Sequence, residues 1–181
     1  QIYRLLNTGD SVNPVFEWFA INTTFSGSLI DVQADPRFDR SQGTATLWAL
    51  STDKVYRLDE NSSDWSNFTI TEYDGVEDYL VVDMKLAPDM DLAPAVYVAT
   101  WGGGVFKLDL TDPSPIWEQV GGPPPGFWGE CIELSPDFEN DRLIFMGTQR
   151  GMYYVEDRPG GQWVKVNNEV IIDSANTSFE A

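Results

Sequence analysis

The chain has 181 residues, 42% hydrophobic and 13% aromatic, enough for one domain with a packed core. Eleven Lys and Arg against 29 Asp and Glu leave a formal charge of −18, with no histidine. Such a surface repels phosphate backbones, and chemistry that needs an imidazole is excluded. No apolar run approaches the roughly 20 residues that a membrane-spanning helix requires.

Taken in chain order, one short strand keeps returning. IYRL at 2–5 comes back as VYRL at 55–58, VFKL at 105–108 and MYYV at 152–155, with starts 53, 50 and 47 residues apart. Each copy leads through a polar turn into a Trp-bearing run: FEWFAI (16–21), WSNFTI (65–70), IWEQV (116–120) and QWVKV (162–166). Trp18, Trp65, Trp117 and Trp163 are therefore expected at one repeated position. Two further strands precede each complete copy. The first runs into an Asp/Pro turn, as LIDVQADP, VVDMKLAPD and CIELSPD; the second is TATLWALS, AVYVATW or LIFMGTQ.

The unit is four short strands, A to D, in about 50 residues, rich in the β-branched and aromatic residues that strands prefer. Four antiparallel strands at this period predict an all-β chain of β-propeller blades, each too thin to bury both faces alone. The expected organisation is a single propeller region: the end of a blade at 1–25, blades at 26–70, 71–122 and 123–168, and the start of another blade or a tail at 169–181. These copies do not close a ring, so the chain is expected to be part of a larger propeller, completed by a longer chain or by a protein partner.

The frame SPDF..D..IF.GT..G.Y......G..W..V, from Ser135 to Val166, resembles the BNR or Asp-box repeat of sialidase-like and sortilin-like propellers. Asp157 to Trp163 stands where that family carries its Asp-box, with Val155 in place of the serine and one extra residue before the glycines. The resemblance implies a propeller, and a location at the cell surface or outside the cell. A sialidase of this family would need an arginine cluster and a tyrosine nucleophile. Arg4 and Arg57 share a repeat position with Lys107, while Arg37, Arg40, Arg142 and Arg158 fall on turns of one face, so no triad is expected.

In a propeller the D–A and B–C connections share one face, where ligand sites lie. Two D–A connections, ITEYDGVEDY and GGPPPGFWGE, and the B–C turn at Trp101 make the candidate ligand site: Tyr73, Glu77, Asp78, Trp101, Phe127, Trp128 and Glu130. Exposed aromatics beside carboxylates suit a sugar or a cation; the competing reading has Trp101 and Trp128 capping blade packing. On the opposite turns Asp89, Asp91, Asp137 and Asp141 are candidate calcium ligands, set against the commoner role of Asp beside Pro in closing its own turn. No other cofactor is expected. Cys131 has no partner for an internal disulfide and is expected to be a buried thiol. The sequence supports a non-catalytic binding or structural scaffold; the alternative is a glycan-binding or glycoside-hydrolysing propeller.

Overall fold

The computed structural model describes residues 3–7, 12–13, 15–20, 25–38, 46–60, 68–122 and 128–166. Among these, structure is β apart from one helical turn. Strands β1 (Tyr3–Asn7) and β2 (Phe16–Ala20) form a hairpin. The first four-stranded sheet comprises β3 (Leu29–Ala34), β4 (Thr46–Ser51), β5 (Lys54–Glu60) and β6 (Phe68–Asp74). The second comprises β7 (Val81–Leu86), β8 (Ala95–Thr100), β9 (Gly104–Asp109) and β10 (Trp117–Val120). The third comprises β11 (Gly129–Leu134), β12 (Leu143–Thr148), β13 (Gly151–Glu156) and β14 (Val164–Lys165). Each sheet is an antiparallel meander whose strands pair in chain order.

The sheets repeat at the level of single bonds. Each first strand carries a register shift at the same place, between Leu29 and Asp31, Val81 and Asp83, and Gly129 and Cys131. A bulge there bends the strand and frees an amide. The Asp31 carboxylate takes the freed amide of Val32 (2.8 Å), and Asp83 takes that of Met84 (2.8 Å). The second strand of each sheet ends in a hydroxyl that closes the following turn. Ser51 Oγ donates to the Lys54 carbonyl, Thr100 Oγ1 to Gly104 and Thr148 Oγ1 to Gly151, at 3.2, 2.9 and 2.7 Å. The Pro-x-Phe/Met of each A–B turn sinks an apolar side chain, with Met90 and Phe138 almost fully buried. In the third sheet this turn tightens into α1 (Phe138–Asp141), where Phe138 lies edge-on to Tyr97 at 5.5 Å.

The first strands of successive sheets lie against one another, with β7 in contact with both β3 and β11. The Gln33 amide donates to the Met84 carbonyl, and the Ile132 amide donates to Asp83 Oδ2 at 2.9 Å. One apolar core runs through all three sheets, including Leu50, Val55, Met84, Val98, Ile132 and Met146. Burying such a side chain contributes roughly 1.5–3 kcal/mol. The far face of the first sheet holds its own cluster, Ala49, Tyr56 and Leu58 under Phe25 and Leu29.

Three expectations need correction. Strand β6 continues to Asp74, so a unit boundary between 70 and 71 cuts a strand; Glu72 and Tyr73 pair with Tyr56 and Val55 as sheet residues. The repeated tryptophan position belongs to Trp18, Trp117 and Trp163, since Trp18 and Trp117 face Leu5 and Leu108, while in the first sheet Leu58 faces Ile70. Trp65 lies outside the described residues. Cys131 is exposed, because it points away from the second sheet, on the face of β11 opposite to buried Ile132.

Candidate functional site

The loops sort onto two ends of the sheets through backbone bonds. At one end the Gly75 amide donates to the Asp53 carbonyl (2.8 Å), Thr52 to Ser28 (3.0 Å) and Trp101 to Leu80 (2.8 Å), tying D–A connections to B–C turns. At the other end Leu110 donates to Pro94 (3.0 Å) and Asp157 to Arg142 (2.9 Å), tying C–D turns to A–B turns.

On the first of these ends Trp101 and Trp128 meet. They form an isolated antiparallel bridge between the second and third sheets, with ring centroids 5.3 Å apart and planes inclined at 34°. They remain 48% and 52% exposed, so neither caps a buried joint. Gly102, at φ 93°, makes the turn that brings Trp101 out. Gly103 is held in a closer fit: a Cβ there would stand 2.8 Å from Phe106 and 2.9 Å from Tyr79. The glycine thereby lets Tyr79 and Phe106 contact each other at 5.6 Å. Tyr79, Leu80, Trp101 and Trp128 make one exposed aromatic and apolar patch.

Glu130 lies two residues after Trp128 and is exposed, and Glu77 and Asp78 are exposed in the turn before Tyr79. Asp78 takes a left-handed conformation at φ 65°, one that a short polar side chain tolerates. Phe127 lies outside the described residues. Tyr73 is not part of the patch. It stacks on Trp48 at 6.0 Å and lines a cleft between the first and second sheets together with Glu77. Burial pushes its phenol above the ordinary pKa, with the neighbouring Arg57 opposing.

At the other end the candidate metal ligands serve their own turns and joints. Asp89 Oδ1 accepts from the amides of Asp91 (3.0 Å) and Leu92 (2.9 Å). Asp137 accepts from Asn140 (2.6 Å), and Asp141 from Ser135 Oγ (2.5 Å) and the Leu143 amide (2.9 Å). Asp91 accepts from Arg37 across the joint between the first two sheets (3.0 Å). Among the described residues no three His, Cys, Asp or Glu side chains gather as a metal site would require.

Among the described residues the arginines of this end are held by acids of the chain. Arg37 grips Asp35 through Nε (2.8 Å) and Nη2 (3.0 Å), with the Trp48 indole on the same carboxylate at 3.2 Å. Asp157, at the Asp-box position, accepts at Oδ2 from Tyr97 (2.7 Å), Lys107 (3.1 Å) and Arg142 (2.6 Å), joining the second and third sheets. Burial alone would raise the Asp157 pKa, but Tyr97, Lys107 and Arg142 together outweigh it and hold the carboxyl below its usual range. The signal was Lys107 at the shared cation position; its acid comes from the next sheet, which spacing along one unit does not show. Comparison with models of known protein families and with curated proteins returned no match.

Proposed function

We propose that this chain is part of a non-catalytic β-propeller of the BNR or Asp-box type, serving as a binding scaffold at the cell surface or outside the cell. Support for the propeller comes from three sheets that share strand order, bulge position and turn-closing hydroxyl and lean on one another through their first strands. Further four-stranded units, from a longer chain or a partner, would cover the outer face of the third sheet, where Cys131 and Met152 are exposed.

The observation that carries the binding reading is the half-exposed Trp101–Trp128 pair. Exposed aromatics that cluster beside apolar neighbours mark binding surfaces, and Trp and Tyr are enriched among the few residues that dominate interface energy. The exposed carboxylates of Asp78 and Glu130, on the segments that carry the patch, favour a basic protein partner and steer its approach. Among the described residues the arginines at the other end are paired with acids of the chain: Arg37 with Asp35 and Asp91, Arg142 with Asp157, and Arg158 with Glu156.

Selection from a displayed peptide library, run beside a glycan array, tests this reading. Peptides rich in basic and apolar residues are expected, with binding reduced at least tenfold in Trp101→Ala and Trp128→Ala. Glycan binding with no peptide recovered would overturn it in favour of a carbohydrate-binding propeller, because the same ring pair could stack on a sugar. Selected peptides that bind equally well without either tryptophan would also overturn it.

A further inference from the structure

The same end of the molecule carries a second feature, separate from the tryptophan pair. Between the outer strands of the first and second sheets lies a cleft of about 730 Å³. Its first-sheet wall presents Glu72, Asp74 and Glu77 beside Tyr73, and its second-sheet wall presents Ile116 and Trp117. Lys54 reaches Glu72 at 2.6 Å and Asp74 at 3.5 Å, so one lysine serves two of the three carboxylates. Glu77 has no ion-pair partner among the described residues. The Trp117 indole N–H donates to the Asp74 carbonyl at 2.6 Å, which fixes the ring as one side of the cleft.

We infer that this cleft receives an arginine side chain from an extended segment of the protein partner, with an apolar neighbour of that arginine lying on Ile116. The proposal rests on the reading of this end as a protein-binding face. Three properties fit a guanidinium. It is planar and weakly hydrated, so one face can lie on Trp117 or Tyr73 while its edge meets Glu77 and Asp74. Its charge complements a wall with excess carboxylate on a chain of net −18. The cleft exceeds the volume of one side chain and falls in the range of built ligand sites, leaving room for flanking residues. Phe106 lines the cleft and touches Tyr79 of the tryptophan patch, so the two lie side by side. A partner could therefore use both sites at once.

The probe is the acetylated, amidated pentapeptide Gly-Leu-Arg-Leu-Gly, titrated into the full ¹⁵N-labelled chain while the indole N–H of Trp117 is followed by NMR. A saturable shift of that resonance is expected. The analogue with citrulline, which keeps the shape and removes the charge, is expected to bind at least tenfold more weakly. Glu77→Gln and Asp74→Asn are each expected to weaken the arginine peptide several-fold while the free protein keeps its Trp117 position, which separates lost binding from lost fold. Trp101→Ala is expected to leave this affinity within twofold; its failure to affect any protein binding bears on the scaffold reading and not on the cleft. Equal binding of the arginine and citrulline peptides overturns the inference, as does an unmoved Trp117 resonance at millimolar peptide.

Discussion

The carboxylate of Asp157 accepts three hydrogen bonds, two from neighbouring strands of the second sheet and one from a turn of the third, while only 10% of its side chain is exposed. Hydrogen bonds to a charged group are worth about 1.5–3 kcal/mol, so Asp157→Ala is expected to cost roughly 2–3 kcal/mol in urea unfolding. Tyr97→Phe, which removes one donor and leaves the ion pairs, should cost less. The pH dependence follows from the lowered carboxyl pKa. A group whose folded pKa is depressed stabilises fully above its unfolded value of about 3.9, and the contribution fades as pH falls through the folded pKa. The difference in unfolding midpoint between wild type and Asp157→Asn is therefore expected to stay constant from pH 8 to 5 and to shrink below pH 4. A difference that persisted unchanged to pH 2 would show that the network is not ionic.

At the scale of the strand, the repeated tryptophan acts as a clip between units. Trp117 on β10 donates to Asp74 at the end of β6, and Trp163 beside β14 donates to Gly122 just beyond β10, at 2.6 and 2.9 Å. Each outermost strand is thus tied back to the preceding sheet. Replacing either residue with Phe keeps most of the ring and removes the bond, at an expected cost of about 1 kcal/mol each. Hydrogen exchange should quicken in β10 for Trp117→Phe and in β14 for Trp163→Phe; acceleration spread evenly over the chain would contradict a local clip.

Much of this was legible in the sequence because the motifs are short-range. The VYRL-like strands, the hydroxyl before each B–C turn and the proline of each A–B turn are set by residues a few positions apart. What the sequence hid depends on pairing. Spacing from one tryptophan to the next selects Trp65, whereas the register of β6 against β5 places Ile70 at that position. Cys131 sits in an apolar run, and no local pattern says which face of β11 a neighbouring sheet covers. The candidate ligand residues divided for the same reason. Tyr73 belongs to a strand that outruns its expected end, so it joins the cleft while Trp101 and Trp128 form the patch.

At the scale of the molecule, the three sheets form one body because matched positions on their first strands meet across each joint. Gln33, Lys85 and Glu133 occupy the same place in β3, β7 and β11, and Lys85 Nζ lies 3.0 Å from Glu133 Oε2. Burial lowers the Lys85 pKa, but its bond to Glu133 and the carboxylates of Asp83 and Asp31 raise it further, so the net shift is upward and the ammonium is retained. A chain of independent hairpins would not hold this pair together. Zero-length carbodiimide coupling followed by peptide mass spectrometry measures it directly, with the Lys54–Glu72 pair inside the first sheet, at 2.6 Å, as the internal control. The expected result is an amide between Lys85 and Glu133 in the folded chain, lost on unfolding in urea. Formation of the Lys54–Glu72 link without any Lys85–Glu133 link would contradict the packing of one repeated sheet on the next.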